Sequence, residues 1–375
     1  MAVDPTTPEA EVLDALRLQM TPGLSPRMLK LLLDRFETPG GVLRASPQEL
    51  AQFPDLKPRV VQALTAARAN EAALREWQNC REQQIQLHVR NRRGYPPRLT
   101  EIPDPPLVLY SRGDFATRDD LAIAIVGSRR CTRYGQQQAE RLGGALARAG
   151  FTIVSGLARG IDGAAHRGAL LAGGRTIAVL ATAVNDIYPP EHENLAEEVA
   201  CHGAVVSEAP LGRKPRPEFF PQRNRIISGL ALGVIVVEAD RRSGALSTAR
   251  HAMEQNREIF AVPGRIDNPT SDGCHDLIRD GATLIRGVDD VLQALGPLPQ
   301  PVLLGETNET VLDPRELALN PVERKVLNTV TRDPLHIDEL VRLAEMETPQ
   351  VLQTITILEI KRLVKRLPGG HLCRG

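Results

Sequence analysis

Seven short, uninterrupted apolar runs between Leu121 and Arg286 constrain the fold of this chain more than any other feature. They are residues 121–127 (LAIAIVG), 151–155 (FTIVS), 175–181 (RTIAVLA), 204–208 (AVVSE), 233–239 (GVIVVEA), 258–264 (EIFAVPG) and 282–286 (ATLIR). A strand with one wet face alternates apolar and polar residues. A continuous apolar run means a strand buried on both faces. Amphipathic helical stretches separate the runs, and strands alternating with helices make βαβ units and a parallel sheet. The expected fold class is therefore α/β, a doubly wound Rossmann-like parallel sheet.

The flanks read differently. Apolar residues recur at helical spacing in 11–20 and 26–36 around the turn MTPGLSP, and a second helix pair follows through Gln78. Helix pairs of this kind look like a sterile-alpha-motif or helix-hairpin-helix module. Such modules either bind DNA backbone through turn amides or mediate contacts, and here only Gly23 supplies a turn glycine. Prolines break 85–117 into a strand-rich lead-in (YPPRL, IPDPPLVLYSRGD). Residues 297–320 are proline-rich and polar, as in a linker. In 321–375 three helical stretches precede a Gly-Gly turn, the order of a winged helix-turn-helix. The expected domains are 1–80 (helical), 81–297 (α/β), 298–320 (linker) and 321–375 (winged helix).

Composition excludes some functions. Lys plus Arg and Asp plus Glu number 46 each, so a uniformly basic nucleic-acid coat is ruled out and any such site must come from local clustering. No run of eighteen apolar residues and no signal peptide is present, so a cytoplasmic protein without membrane insertion is expected. The five cysteines are scattered without metal or redox spacing, and neither GxGxxG nor GxxxxGK[ST] occurs. No metal and no cofactor is expected.

In open parallel sheets ligands bind beyond the carboxyl ends of the strands. After the first run come Gly127, Ser128, Arg129, Arg130, Cys131 and Thr132; after the second come Ser155, Gly156, Leu157, Ala158, Arg159 and Gly160. Each loop offers small residues, free amides, a helix start and arginine, a combination suited to phosphate oxygens. Segment 213–225 sets five basic residues (Arg213, Lys214, Arg216, Arg223, Arg225) against one acid, Glu218, and carries Phe219 and Phe220. Cations beside aromatic rings suit single strands, whose backbone they track and whose bases they stack. We expect one of the two rings to stack and the other to pack, and Asn224 to join the site. Arg225 has a second reading, as a structural partner of Glu208 or Glu238. Ser243 and Gly244 follow the fifth run; Ser243 reads first as a helix cap, and the loop can complete a phosphate cradle. Asp162, His166 and Ser155 could be written as a triad, but there is no G-x-S-x-G elbow. Asp162 reads better as a cap, His166 as a hydrogen-bonding residue, and Glu208 and Glu238 as partners for arginines.

On these stretches the chain resembles the DprA/Smf family of bacterial natural transformation. The matching segments are VGSRRCTRYG (126–135), SGLARGIDGAAHRGAL (155–170), TIAVLATAVNDIYPPEHENL (176–195), SEAPLG (207–212), 220–264 and 271–285. The resemblance implies a single-stranded DNA-binding protein of recombination. It also implies a homodimer that protects incoming strands and loads RecA onto strands coated by single-strand-binding protein. The family's GSR loop falls on Gly127, Ser128 and Arg129, its SGLARGID loop on Ser155 to Asp162, and its RNR element on Arg223 to Arg225. The chain departs from the family near Ala183, where a glycine is usual, and at Cys274-His275, where Asn is usual. The expected function is binding without catalysis. The alternatives are a phosphoribohydrolase-like nucleotide-processing enzyme on the same fold and a sequence-specific regulator acting through 321–375, whose helix 349–361 is mostly apolar and acidic.

Overall fold

All seven apolar runs become neighbouring parallel strands of one sheet. The computed structural model describes residues 9–297, 302–304, 309–331 and 333–375. The sheet strands are β1 (Gln86–Val89), β2 (Val108–Gly113), β3 (Ala122–Val126), β4 (Thr152–Ser155), β5 (Thr176–Leu180), β6 (Gly203–Ser207), β7 (Gly233–Val236), β8 (Glu258–Ala261) and β9 (Thr283–Leu284). Their order is β1-β2-β6-β5-β4-β3-β7-β8-β9. From β6 to β9 every pairing is parallel, while β1 and β2 add an antiparallel edge beside β6. Every residue of β3 to β7 is buried, which is why these runs do not alternate. Each buried Val, Ile or Leu side chain there contributes about 1.5–3 kcal/mol.

The strand order creates a switch point. From β3 the chain steps through β4 and β5 to β6, then crosses back to place β7 on the other side of β3. The loops after β3 and β7 diverge, leaving a crevice. The return from β6 to β7 contains segment 213–225.

Six helices precede the sheet: α1 (Ala10–Gln19), α2 (Pro26–Phe36), α3 (Pro39–Arg44), α4 (Pro47–Leu50), α5 (Pro58–Ala67) and α6 (Ala72–Glu82). The sequence pattern gave two helix pairs. The count rises to six because Pro39, at the position where proline's missing N–H costs nothing, starts the added α3, and because the stretch 59–78 breaks between Arg68 and Glu71 into α5 and α6. Leu16, Leu32 and Leu64 share one core with Ile85, Val89, Val108 and Tyr110 of the sheet edge. The Gln19 amide donates to the Glu208 carbonyl at 2.7 Å, and the Glu76 carboxylate accepts the Leu211 N–H at 2.7 Å.

Around the sheet lie α7 (Pro97–Thr100), α8 (Arg133–Arg148), α9 (Ile161–Leu171), α10 (Glu193–His202), α11 (Phe219–Gly229), α12 (Ala245–Glu254) and α13 (Asp272–Arg279). The chain forms two compact units, 1–286 and 287–375. The second begins with α14 (Val288–Leu295). The expected linker falls partly outside the described residues. Within it, β10 (Val302–Leu304) pairs antiparallel with β11 (Glu309–Val311), and 314–318 form a 3-10 turn. Then come α15 (Pro321–Thr329), β12 (Leu335–His336), α16 (Ile337–Ala344), α17 (Thr348–Ile360), β13 (Val364–Leu367) and β14 (His371–Arg374). Asn320 and Glu323 form a capping box at α15, and Val326, Leu340, Ile355 and Leu372 fill the core of this winged helix. Among the described residues no helix is long and apolar enough to cross a membrane.

Candidate functional site

The loop after β3 is shaped by its neighbour β7. A Cβ on Gly127 would lie 2.8 Å from the Glu238 carbonyl, so only glycine lets the loop pass. The Ser128 N–H donates to that carbonyl at 2.7 Å. The buried Glu238 carboxylate accepts from the Thr132 amide at 2.8 Å and from the Thr132 hydroxyl at 2.5 Å. The Thr132 hydroxyl in turn accepts the Gly135 N–H, capping α8. Glu238 was expected to pair with an arginine. It holds the turn closed instead, and the side chains of Arg129 and Arg130 are left exposed.

These arginines edge a cleft of about 710 Å³ at the switch point. The first loop lines it with Gly127, Ser128, Arg129 and Arg130; the return segment lines it with Arg216, Phe220, Arg223 and Asn224; the loop after β7 adds Asp240, Ser243 and Gly244. The Arg129 guanidinium sits 4.7 Å from the centre of the Phe220 ring. Tyr188 meets the same ring edge-on at 5.8 Å. Tyr188 carries one signal in the sequence, its place in the NDIYPP turn after β5. Phe219 lies outside the cleft lining, under the Arg213 guanidinium at 3.8 Å, so each phenylalanine carries an arginine. The Asn224 amide donates to the Gly244 carbonyl at 3.2 Å. The Ser243 hydroxyl accepts the Ala245 N–H at 3.3 Å. The first residues of α12 face the cleft and supply partial positive charge there.

Other expected residues work inside the protein. Arg223 reaches the cleft floor but is buried, donating to the carbonyls of Gly156, at 2.7 Å, and Val179. Burial pulls its pKa down to about 10. A Cβ on Gly156 would sit 2.4 Å from that guanidinium, so glycine is needed to admit it. Asp162 was expected to cap α9. Its carboxylate instead accepts the Gly156 N–H at 3.1 Å. Burial raises its pKa, and Arg223 opposes that shift.

Arg225 takes the second of its two expected readings, as a structural partner of Glu208, and does not line the cleft. Its side chain is 3% exposed, bound to Asp104 at 3.0 Å and to both oxygens of Glu208 at 2.8 and 2.9 Å. Ser155 donates its hydroxyl to the Ile125 carbonyl at 2.6 Å beneath the sheet end. Thr132, Gly160, Arg159 and Lys214 also lie outside the cleft lining. Thr132 is held by Glu238, Gly160 turns at φ +75°, Arg159 forks onto Glu191, and Lys214 is exposed. Ser155, Asp162 and His166 do not form a triad: His166 Nδ1 bonds the Thr176 hydroxyl at 2.7 Å. Among the described residues no cluster of His, Cys, Asp or Glu is arranged to hold a metal.

Comparison with known proteins places the chain in a family. Residues 86–296 match the family described as DNA recombination-mediator protein A, and residues 312–370 match the DprA winged helix domain. Protein Smf of Synechocystis sp. is 34% identical over 376 aligned residues, covering 92% of this chain and 94% of its own length. Protein Smf of Escherichia coli is 41% identical over 283 residues, 74% of each chain. The structure of DNA processing protein A from Streptococcus pneumoniae aligns with a TM-score of 0.64 at 35% identity, covering 74% of this chain and 95% of that one. DNA processing protein A from Helicobacter pylori aligns with a TM-score of 0.51 at 33% identity, over 56% of this chain and 95% of that one; its structure concerns a single-stranded DNA binding mode. With its α/β domain matched almost end to end and its winged helix matched separately, the chain belongs to the DNA recombination-mediator protein A family, the DprA/Smf proteins.

Proposed function

We propose that the switch-point cleft binds single-stranded DNA without catalysing a reaction on it. The observation that carries this reading is the Arg129–Phe220 pair at the mouth of the cleft, 4.7 Å from guanidinium to ring centre. A ring offers a face to any base, and the guanidinium beside it offers a planar fork to a phosphate. Ser128, Arg130 and the start of α12 add donors for the backbone. Contacts to phosphates and base faces carry little sequence information, so sequence preference is weak. Duplex binds less well because it hides its base faces. The single-stranded DNA binding of the Helicobacter pylori relative supports the same reading here. Family membership further supports a cytoplasmic homodimer that protects incoming strands and, with single-strand-binding protein displaced, loads RecA onto them.

Titration of labelled single- and double-stranded oligonucleotides across a salt series tests the cleft. Arg129→Ala weakens single-strand binding, and its log–log salt slope falls by about 0.7, the share of one lost phosphate contact. Unchanged affinity sinks the assignment. Turnover of a nucleoside monophosphate by the purified protein would return the enzyme reading. Failure of the wild-type protein to speed RecA assembly on coated strands would remove the loading role alone.

A further inference from the structure

We propose that the bound strand leaves the cleft across the carboxyl ends of β7 and β8, where Tyr134 stacks a further base. The inference rests on the single-strand reading of the cleft and adds a second subsite to it.

Tyr134 lies in the first turn of α8 and is 46% exposed. Its hydroxyl donates to the Pro263 carbonyl at 3.1 Å, in the loop after β8. Because β7 lies between β3 and β8, the side chain spans from the helix that follows β3 to the loop beyond β7. The ring is thus anchored at both ends while much of it stays in water. A base that stacks on a ring already fixed in place loses little of the binding energy to ordering. Ile266, 93% exposed in the same loop, extends the apolar surface.

Charge distinguishes the two ways out of the cleft. Toward Tyr134, Arg130, Arg133 and Arg242 are exposed, and none has an ion pair among the described residues. The acids on this route are already engaged: Asp267 binds Arg265, Asp272 and Asp276 face Arg241, and Asp240 accepts the Arg242 N–H. On the opposite side Arg159, outside the cleft lining, has its fork occupied by Glu191, so a phosphate beside it must displace a carboxylate, while Lys214 and Arg216 of the return segment stay exposed beside the cleft itself. Tyr134 is four steps along the chain from Arg130, a reach of at most about 14 Å, so the second ring is a few nucleotides from the rim.

Affinity is measured for oligothymidylates of increasing length with the wild type, Tyr134→Leu, Tyr134→Trp and Arg129→Ala. Leucine keeps bulk and removes the π-face. On oligomers that only fill the cleft, Tyr134→Leu matches the wild type. On longer ones it loses about five- to a hundredfold, the usual worth of one stacked base, and Tyr134→Trp retains the wild-type gain. Equal binding by Tyr134→Leu at every length, with Arg129→Ala still weakened, overturns this route and leaves the cleft standing. If Arg129→Ala binds the short oligomers as the wild type does, the cleft reading itself fails. Should Tyr134→Leu not fold, the wild-type protein decides. Ultraviolet crosslinking to oligomers bearing 5-iododeoxyuridine at successive positions labels the peptide containing Tyr134 if the route is right; labelling confined to other peptides overturns it.

Discussion

Two arginine pairs in this domain have opposite fates. Arg129 and Arg130 sit in a turn between a strand and a helix, exposed at the cleft. Arg223 and Arg225 lie within α11 and are buried. Residues two apart on a helix point about 160° away from each other. Arg223 therefore turns toward the carbonyls of Gly156 and Val179, and Arg225 toward Glu208 and Asp104. A buried guanidinium uses most of its donors within the protein: Arg225 commits Nε and Nη2 to carboxylates and Arg223 commits Nη1 to two carbonyls, which leaves fewer for a ligand. Basic residues of similar density thus divide into a set that holds the loops and a set that faces the ligand. What divides them is position on a helix or a turn.

The largest effect should come from the buried set. Arg225→Ala leaves the partly solvated Glu208 and Asp104 carboxylates without their cation and empties a buried site, which should cost about 3 kcal/mol, the low end for breaking a buried pair from one side. Urea unfolding should show that loss, while the folded fraction keeps single-strand affinity within about twofold. A drop in affinity with stability intact would move Arg225 to the ligand-facing set. The exposed set should answer in reverse. Phe220→Ala removes the platform under Arg129 and should cost about 1–3 kcal/mol of single-strand binding, with little change in unfolding. If stability falls and affinity holds, Phe220 only packs.

The sheet was legible because burial on both faces erases alternation, and no other element of this length leaves continuous runs such as AIAIV and TIAVL. The loops after β3 and β7 were legible for the same reason: they end strands, and the strand order makes a crevice between them. Segment 213–225 was only half legible. Its charge and its rings pointed to the cleft, but which arginine faces out depends on where α11 begins, and no cap residue marks that start. The roles of Asp162 and Glu238 could not be read at all. Glu238 binds the Thr132 amide across the sheet, a contact that spacing along the chain does not encode, and Asp162 reaches back to the Gly156 amide at the start of its own loop, beyond the span of an ordinary helix cap. The extra helices escaped for two reasons: Pro39 before two glycines reads as a breaker as well as a helix start, and the break between α5 and α6 falls inside a stretch without proline or glycine.

The smallest effect concerns a histidine in the interior behind the cleft. The Thr176 hydroxyl donates to the Ile153 carbonyl at 2.7 Å, so it accepts from the Nδ1–H of His166. His166 Nε2 is then a buried acceptor without a partner among the described residues. Burial pulls the pKa of this ring down to about 3. The sign follows from proton counts. Above the ordinary histidine pKa of about 6.5, neither the folded nor the unfolded ring carries the proton, and His166 adds no pH dependence. As pH falls below that value the unfolded chain takes up a proton that the folded chain refuses, so stability is lost until the folded ring titrates near pH 3. The slope approaches about 1.4 kcal/mol per pH unit for one proton. His166→Gln removes it. The stability difference between wild type and His166→Gln should therefore shift against the wild type by about 1–2 kcal/mol between pH 7.5 and pH 5, with single-strand affinity of the folded protein unchanged at neutral pH. A difference that stays constant across that range would mean that the ring accepts its second proton when folded, and that the interior behind the cleft is wetter than the packing of His166 against Thr176 implies.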